Sequence, residues 1–233
     1  MRYHEFNLTP ELDEDRLSEL TGIKQQVQRL PQDPKPAAVV DSHGMDTKPL
    51  PLGTDWHEVM IQHGFRSMGH GSFGTVWEHP RLPYVLKVFA ARDRPYIDWI
   101  ATARQHSDNP HIPRFISPRL VRINHNVVAV RMERLSPPDS IASRLMWVTD
   151  DIVTFSKLEN CTPRQLIKKH GLDTFDTVFA SYIQTHPKFL DAITIISEFI
   201  ATTGHYPDLH DKNIMLRGDV AVFTDPVYDP EEM

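Results

Sequence analysis

The stretch HYPDLHDKNIMLRGDVAVFTDP, residues 205–226, combines two short apolar runs with polar residues at fixed spacings. Asp208 and Asn213 are five residues apart, and Asp225 follows Asn213 after another twelve. The runs NIMLR and VAVFTD are joined by a Gly-Asp pair, which predicts a β-hairpin that brings Asn213 close to Asp225. The alternative is a polar turn and an ordinary hairpin with no chemical role.

These polar residue types match the needs of phosphoryl transfer. In that reaction a carboxylate orients or deprotonates the attacking hydroxyl, and oxygen ligands hold Mg²⁺ against the phosphates. Asp208 fits the first role, whereas Asn213 and Asp225 fit the second. The spacing D-x-x-x-x-N alone arises often by chance. Its combination with Asp225, downstream of a glycine-rich loop and a lysine, favours the chemical interpretation.

The glycine-rich loop lies in FRSMGHGSFGTVWEHP, residues 65–80, where Gly69, Gly71 and Gly74 precede Val76. Glycine allows a backbone to approach a triphosphate closely and to adopt positive φ angles. A tight hairpin is the alternative interpretation. The loop joins two strand-like runs and does not open a helix, which excludes the dinucleotide-binding motif and favours the kinase form.

Lys87 lies in the apolar run VLKVF, which predicts an inner strand. A lysine is costly to bury without a partner, so a functional role on the α- and β-phosphates of ATP is one explanation. The other is an edge strand with Lys87 in solvent.

Several histidines near Asp208 raise the question of a metal site. His205, His210 and Asp211 match no zinc-binding spacing, and the neighbouring carboxylates suit a hard cation better. We therefore expect His210 to lie near the phosphates or to support Asp208.

The pattern along the chain predicts a compact bilobal α+β fold with an N-terminal extension. Residues 1–30 are predicted to form a helical extension, and the proline-rich residues 31–52 a linker. Residues 53–233 then form a minimal domain, with a small antiparallel β lobe at about 53–135 and a reduced helical lobe at about 136–233. The order in residues 65–132 is β-β-β-α-β-β, and the rest is mostly helical before the final hairpin.

Composition narrows the class of protein. The 233 residues carry a formal net charge of −6, which argues against direct nucleic-acid binding. Cys161 is the only cysteine, so an internal disulfide is excluded and a reducing compartment fits. The polar, acidic N-terminus is unlike a signal peptide, and no apolar run is long enough to span a bilayer. We expect a soluble, intracellular protein that does not bind membranes.

Taken together, these motifs resemble the protein-kinase-like superfamily. More narrowly, the chain resembles the early serine/threonine protein kinases of T-seven-like podophages, the autographiviruses. The resemblance runs from about residue 55 to residue 228 and rests on GFRSMGHGSFGTVWEHPRLP, VLKVF, HIPRF and DLHDKNIMLRGDVAVFTDPV. The last string is the most specific of the four.

The resemblance implies an ATP- and Mg²⁺-dependent kinase of the host bacterial cytoplasm that phosphorylates host proteins, among them RNA polymerase and a ribonuclease. By position, Asp208 is the catalytic carboxylate, assisted by Lys87 and His210, and Asn213 and Asp225 bind Mg²⁺. Met132 lies at the back of the adenine pocket, and Glu133 to Leu135 form the hinge that hydrogen-bonds the base. The remaining nucleotide-binding positions are those of the glycine-rich loop: Gly69, His70, Gly71, Ser72, Phe73, Gly74 and Val76.

The sequence also departs from the usual kinase pattern. No glutamate lies in residues 90–110 to pair with Lys87, although Asp98 could substitute for it. Tyr206 and Pro207 replace the usual His-Arg, so a phosphorylated activation loop has no obvious receptor. Eight residues follow Asp225, and in this sequence we expect no activation segment, no peptide-holding helices and no region that shuts off host transcription.

Two other functions are compatible with these motifs. DLHDKN also resembles the catalytic loop of aminoglycoside-type small-molecule phosphotransferases, although we see no large acidic substrate lobe. A pseudokinase could instead bind and inhibit a host protein through residues 1–50. Retention of all three catalytic polar residues argues against that hypothesis.

Overall fold

The computed structural model describes residues 55–70, 74–117 and 119–229. The helix and the linker expected in the first 52 residues lie outside these ranges, as do Gly71, Ser72 and Phe73. The described chain is α+β and contains six α-helices and nine strands. It divides into two compact units, the first ending at Arg92 and resuming over Ile116–Met132, the second comprising Asp93–Phe115 and the chain from Glu133 onward.

The first unit contains one helix and a five-stranded antiparallel sheet. Helix α1 spans Trp56–Gln62, and the strands are β1 Arg66–His70, β2 Gly74–Glu78, β3 Tyr84–Ala90, β4 Val121–Asn124 and β5 Val127–Glu133. The strand order is β1-β2-β3-β5-β4, which makes β1 and β4 the edges. All five residues of β1 are exposed, as expected for an edge strand. The predicted order of elements in residues 65–132, β-β-β-α-β-β, is therefore confirmed, with the helix Arg94–Gln105 between β3 and β4.

Helix α1 packs on one face of this sheet. Asp55 caps the helix by accepting a hydrogen bond from the His57 N–H. The buried residues of the core that α1 closes are Met60, Phe65, Trp77, Leu82, Leu86, Val88 and Ala129. Side chains alternate between the faces of a strand, so this set defines which sheet residues face α1 and which face away.

The second unit is mostly helical. Its helices are α2 Arg94–Gln105, α3 Ser140–Leu158, α4 Pro163–His170, α5 Thr177–Thr185 and α6 Lys188–Thr203. Phe189, Ile193, Ile196 and Ile200 of α6 are all buried, as their helical spacing predicts. Gly204 ends α6 in the left-handed conformation with φ 79°. The sequence analysis assigned residues 93–115 to the β lobe, whereas in the structure α2 groups with the helical unit.

Four short strands complete the second unit. The hairpin predicted from residues 214–224 is present as β7 Ile214–Arg217 and β8 Val220–Phe223. Two further strands are β6 Tyr206–Pro207, which precedes the hairpin along the chain, and β9 Val227–Tyr228, which follows it. These two strands pair with each other in antiparallel orientation. Two backbone hydrogen bonds of 2.8 Å between Ser136 and Leu216 attach the segment after β5 to the hairpin. In the described ranges, none of the helices has the length and apolar character needed to cross a membrane.

Candidate functional site: Asp208, Asn213 and Asp225

Asp208 and Asn213 are in direct contact through the Asn213 amide. The Nδ2 of Asn213 lies 2.8 Å from both the main-chain oxygen and the Oδ2 of Asp208. Both Asp208 atoms are acceptors, so the amide nitrogen must face them, which fixes the orientation of the Asn213 side chain. The Oδ1 of Asn213 consequently points elsewhere, and it accepts no hydrogen bond from the described residues.

His210 completes the contacts around the Asp208 carboxylate. Its Nδ1 accepts a hydrogen bond from the Lys212 N–H at 3.2 Å. Its Nε2 lies 3.4 Å from the Asp208 Oδ1 and 3.1 Å from the Asn213 Nδ2. His210 is thus in contact with Asp208, and its supporting role stays a prediction.

The backbone places Asp225 beside this pair. The Thr224 N–H donates to the Asn213 carbonyl at 2.9 Å, and the Asp208 N–H donates to the Pro226 carbonyl at 2.8 Å. Asp225 lies between these two anchored residues. Three residues spread over eighteen positions of sequence are therefore brought to one end of the hairpin.

Two strand pairings produce this arrangement. In the hairpin, Ile214 is in register with Phe223, so the next residues outward, Asn213 and Thr224, also face each other. In the second pairing, Pro207 is opposite Val227, which aligns Asp208 with Pro226. Pro207 can occupy β6 because a two-residue strand does not need its missing N–H.

The donor set at this position suits a hard divalent cation. A carboxylate at Asp225 and the amide oxygen of Asn213 are the oxygen ligands that Mg²⁺ takes from proteins, usually one or two beside phosphate oxygens. The described residues contain no cluster of three or more His, Cys, Asp or Glu side chains able to hold a metal ion. Within the described residues, His205, His210 and Asp211 are therefore not brought together as a group that could hold a metal ion.

A buried tyrosine of α2 lies in the field of Asp225. Tyr96 is 1% exposed. Burial, and then the negative charges of Asp225 and Asp93, raise the pKa of the Tyr96 phenol well above its usual value. Tyr96 therefore stays a neutral phenol near Asp225 at all physiological pH values.

Lys87 and Val76 lie on the face of the first unit's sheet that points away from α1. Lys87 sits between Leu86 and Val88, both of which belong to the core under α1, so its own side chain projects to the opposite face. Val76 is directly opposite Lys87 in the register of β2 and β3 and shares that face. Because β3 has strands on both sides, Lys87 is on an inner strand and not on an edge.

Met132 lies on the same sheet face as Lys87. It is three residues after Ala129, which belongs to the α1 core, and strand β5 is the neighbour of β3. Met132 is buried, at 5% exposure. Three side chains with expected nucleotide-binding roles, Val76, Lys87 and Met132, therefore occupy one face of one sheet.

The described glycines of the loop differ in their surroundings. A Cβ added to Gly74 would lie 2.7 Å from the Val88 carbonyl oxygen and 3.1 Å from the Phe89 Cβ. A Cβ added to Gly69 would meet no atom within 4 Å. Gly74 is thus required by the close approach of β2 and β3, whereas His70 and Gly69 are exposed on β1.

The expected hinge, residues 133–135, is held by contacts within the second unit. The Glu133 N–H donates to the Arg114 carbonyl at 2.9 Å, so this donor is already used. The Glu133 N–H is therefore not available to a base, whereas the N–H of the buried Leu135 makes no backbone hydrogen bond to a described residue.

Asp98, the expected substitute for the missing glutamate, has a partner in its own unit. Its Oδ2 lies 3.7 Å from the Nε2 of His205, just before β6. The pairing of Asp98 with Lys87 stays a prediction.

Two polar residues with defined contacts were missed by the sequence analysis. His111 is buried, with its Nδ1 2.7 Å from the Ala221 carbonyl oxygen. Arg217 forms an ion pair with Glu133, although the two residues are 84 positions apart. His111 lies in the string HIPRF and Arg217 in DLHDKNIMLRGDVAVFTDPV, but nothing in either string marks these side chains as buried or paired.

Comparison with known proteins adds no family to this description. A scan against protein-family models and a search of curated proteins both found no match to the chain. The chemistry available to the chain is therefore inferred from the residues themselves: a carboxylate held by an amide, a second carboxylate close to it along the backbone, and a lysine with apolar neighbours on a separate sheet face.

Proposed function

We propose that the chain is an ATP- and Mg²⁺-dependent protein kinase that transfers the γ-phosphate of ATP to serine or threonine hydroxyls of other proteins. The observation that carries the proposal is the cluster of Asp208, Asn213 and Asp225, with the Asn213 amide 2.8 Å from the Asp208 carboxylate. A carboxylate beside two hard-cation ligands is the residue set that phosphoryl transfer requires.

In this proposal Asp208 orients the attacking hydroxyl and accepts its proton. Its Oδ2 accepts a hydrogen bond from Asn213, and its Oδ1 faces the Nε2 of His210, so the carboxylate is held in one orientation. Orientation matters because positioning and electrostatic stabilisation account for most of the catalysis in phosphoryl transfer. Bound at Asn213 and Asp225, Mg²⁺ would offset the negative charge of the phosphates.

Most of the groups that bind the nucleotide in this proposal belong to the first unit, whereas Leu135 belongs to the second. Lys87, flanked by the buried Leu86 and Val88, presents its ammonium to the α- and β-phosphates. Met132 and the Leu135 N–H serve the adenine base. The glycine-rich loop, which begins and ends in β1 and β2, covers the phosphates, and its backbone can approach closely because glycines lack a Cβ.

The class of acceptor rests on the resemblance to the podophage kinases. That resemblance supports host proteins as substrates, RNA polymerase and a ribonuclease among them, and action in the host bacterial cytoplasm. It is carried by the string DLHDKNIMLRGDVAVFTDPV and by the glycine-rich loop.

The test compares two substitutions in one short segment. Asp208→Asn keeps an acceptor for the Asn213 amide but removes the proton-accepting carboxylate. Asp211→Asn is the matched control, because Asp211 is exposed and lies three residues further on. Each protein is incubated with Mg²⁺, γ-labelled ATP and a bacterial lysate, and label is measured in protein and in small molecules.

We expect labelled protein bands with the wild type and with Asp211→Asn. Asp208→Asn is expected to lower the rate by a factor on the order of 10²–10⁴, the usual contribution of a positioned general base. An unchanged rate for Asp208→Asn would refute the catalytic role. Label in small molecules only would favour the small-molecule phosphotransferase, and nucleotide binding without turnover would favour the pseudokinase.

A further inference from the structure

The Arg217 guanidinium makes four hydrogen bonds within the second unit. Its Nε donates to the Glu133 Oε2 at 2.7 Å, and its Nη2 donates to the Glu133 Oε1. The remaining N–H groups donate to the carbonyls of Pro110 and Ile112. Side-chain exposure is 21% for Arg217 and 15% for Glu133, so the pair is largely withdrawn from solvent.

Glu133 is in turn fixed to a second part of the chain. Its Oε1 accepts a hydrogen bond from the Arg114 N–H at 2.7 Å, and its own N–H donates to the Arg114 carbonyl at 2.9 Å. The carboxylate therefore has partners at both oxygens. A buried charge is tolerated when it is paired and hydrogen-bonded in this way.

The other end of the same segment is fixed as well. Ser136 exchanges two backbone hydrogen bonds with Leu216, the residue before Arg217 on β7. Residues 133–136 are thus attached to β7 at both ends, by an ion pair at Glu133 and by backbone hydrogen bonds at Ser136. Between these points lies Leu135, with its main-chain N–H unpaired among the described residues.

We infer that Arg217 is a positioning residue for nucleotide binding: through Glu133 it holds residues 133–136 in the conformation in which Leu135 presents its N–H to the base. This inference rests on the proposed kinase function. Arg217 touches neither nucleotide nor acceptor. Arg217 acts by ordering residues 133–136 before a nucleotide binds, so that binding costs less conformational entropy.

Lysine cannot replace arginine in this role. The planar guanidinium reaches both oxygens of Glu133 and two carbonyls at once, whereas a lysine ammonium is a single point charge. Arg217→Lys should therefore behave like Arg217→Ala in nucleotide binding while keeping the positive charge. Glu133→Gln, which keeps the side-chain shape and one acceptor oxygen, should be intermediate.

The experiment measures kcat and KM for ATP in the full chain for Arg217→Ala, Arg217→Lys and Glu133→Gln. Arg144→Ala is the matched control, because Arg144 also forms an ion pair in the second unit, with Asp176, away from residues 133–136. Each activity assay is repeated with added methylguanidinium, which can occupy the space left by Arg217→Ala. Hydrogen exchange of residues 133–136 is measured without nucleotide.

We expect Arg217→Ala to raise the KM for ATP about tenfold, the effect of ordering roughly one residue on binding, and to change kcat less than twofold. Methylguanidinium should lower the KM of Arg217→Ala and leave that of Arg144→Ala unchanged. The amides of residues 133–136 should exchange faster in Arg217→Ala and Arg217→Lys than in the wild type.

An unchanged KM for ATP in Arg217→Ala would overturn the inference. Equal amide exchange of residues 133–136 in the wild type and in Arg217→Ala would overturn it as well. If Arg217→Ala does not fold, Glu133→Gln and Arg217→Lys decide by the same criteria. A wild-type chain that binds no ATP would instead refute the proposed function. In that case the exchange rates still show whether Arg217 orders the segment, so the two failures are distinguishable.

Discussion

His111 makes the stability of the second unit depend on pH. The side chain is 1% exposed, and its Nδ1–H donates to the Ala221 carbonyl at 2.7 Å, while its Nε2 has no hydrogen-bond partner in the described residues. Burial lowers the pKa of the imidazole from 6.5 to about 4, with smaller contributions from His186 and Arg217, against the opposing effect of the Ala221 hydrogen bond. His111 is therefore neutral in the folded protein.

The size and direction of the effect follow from this pKa. Below pH 6.5 the unfolded chain takes up a proton at His111 that the folded chain does not. The free energy of unfolding therefore decreases as the pH is lowered. The loss begins near pH 6.5, continues until about pH 4 and reaches ~3 kcal/mol, since each pKa unit corresponds to about 1.4 kcal/mol. Above pH 6.5 His111 does not make the free energy of unfolding depend on pH.

The assay is chemical denaturation at a series of pH values between 4 and 7.5, for the wild type and for His111→Asn. Asparagine places an N–H near the position of Nδ1 and keeps the donor to Ala221, but it does not titrate. The difference between the two curves isolates His111 from the other twelve histidines and from the carboxylates. We expect this difference to change by ~3 kcal/mol across the window. A constant difference would refute the buried neutral state of His111.

Two further predictions concern positions with matched controls in the same unit. Gly74→Ala should lower the free energy of unfolding by about 1–3 kcal/mol, because the new Cβ would lie 2.7 Å from the Val88 carbonyl oxygen. Gly69→Ala, whose Cβ would meet no atom within 4 Å, should change the free energy of unfolding by less than about 0.5 kcal/mol. Thermal unfolding of both variants checks this prediction, and equal melting temperatures would contradict it. Asp176→Ala should cost about 1–2 kcal/mol, because Asp176 caps α5 by accepting hydrogen bonds from the Val178 and Phe179 N–H groups. Arg144→Ala removes only the ion pair with Asp176 and should cost less than about 1 kcal/mol, so a larger loss for Arg144→Ala than for Asp176→Ala would show that the cap is not the stabilising element.

Elements whose ends are marked by local chemistry are those that a sequence can specify. Thr162 caps α4 in a reciprocal capping box with Gln165, Pro163 occupies the first turn, and Gly171 ends the helix with φ 86°. Strand β3 covers the run VLKVF, because β-branched and aromatic residues favour strands and burial of the neighbours Val85 and Leu86, and of Val88 and Phe89, indicates a strand covered on both faces. Each of these signals lies within a few residues of the structure it determines.

Contacts between distant residues could not be predicted in the same way. The sequence places Glu133 in the expected hinge but does not indicate its ion pair with Arg217, and only the folded chain shows that the carbonyls of Pro110 and Ile112 converge on the same guanidinium. The nineteen-residue helix α3 was not delimited because its outer face carries Trp147 and Leu158, both exposed, which weakens the amphipathic pattern. The pairing of β6 with β9 involves two residues per strand, too few for any periodicity.

The cluster of Asp208, Asn213 and Asp225 was predictable because its geometry depends on the register of one hairpin. Arg217 is opposite Val220, so Gly218 and Asp219 form a two-residue turn. Gly218 has φ 66° and Asp219 has a negative φ, the pattern of a type II′ turn, which fits the twist of antiparallel strands. A slip of one residue would place every hairpin side chain on the other face, and Thr224 would no longer meet Asn213. The turn at Gly218 therefore sets the position of Asp225, seven residues away. Because this turn allows only one register of β7 and β8, Asn213 and Asp225 are brought to the same end of the hairpin.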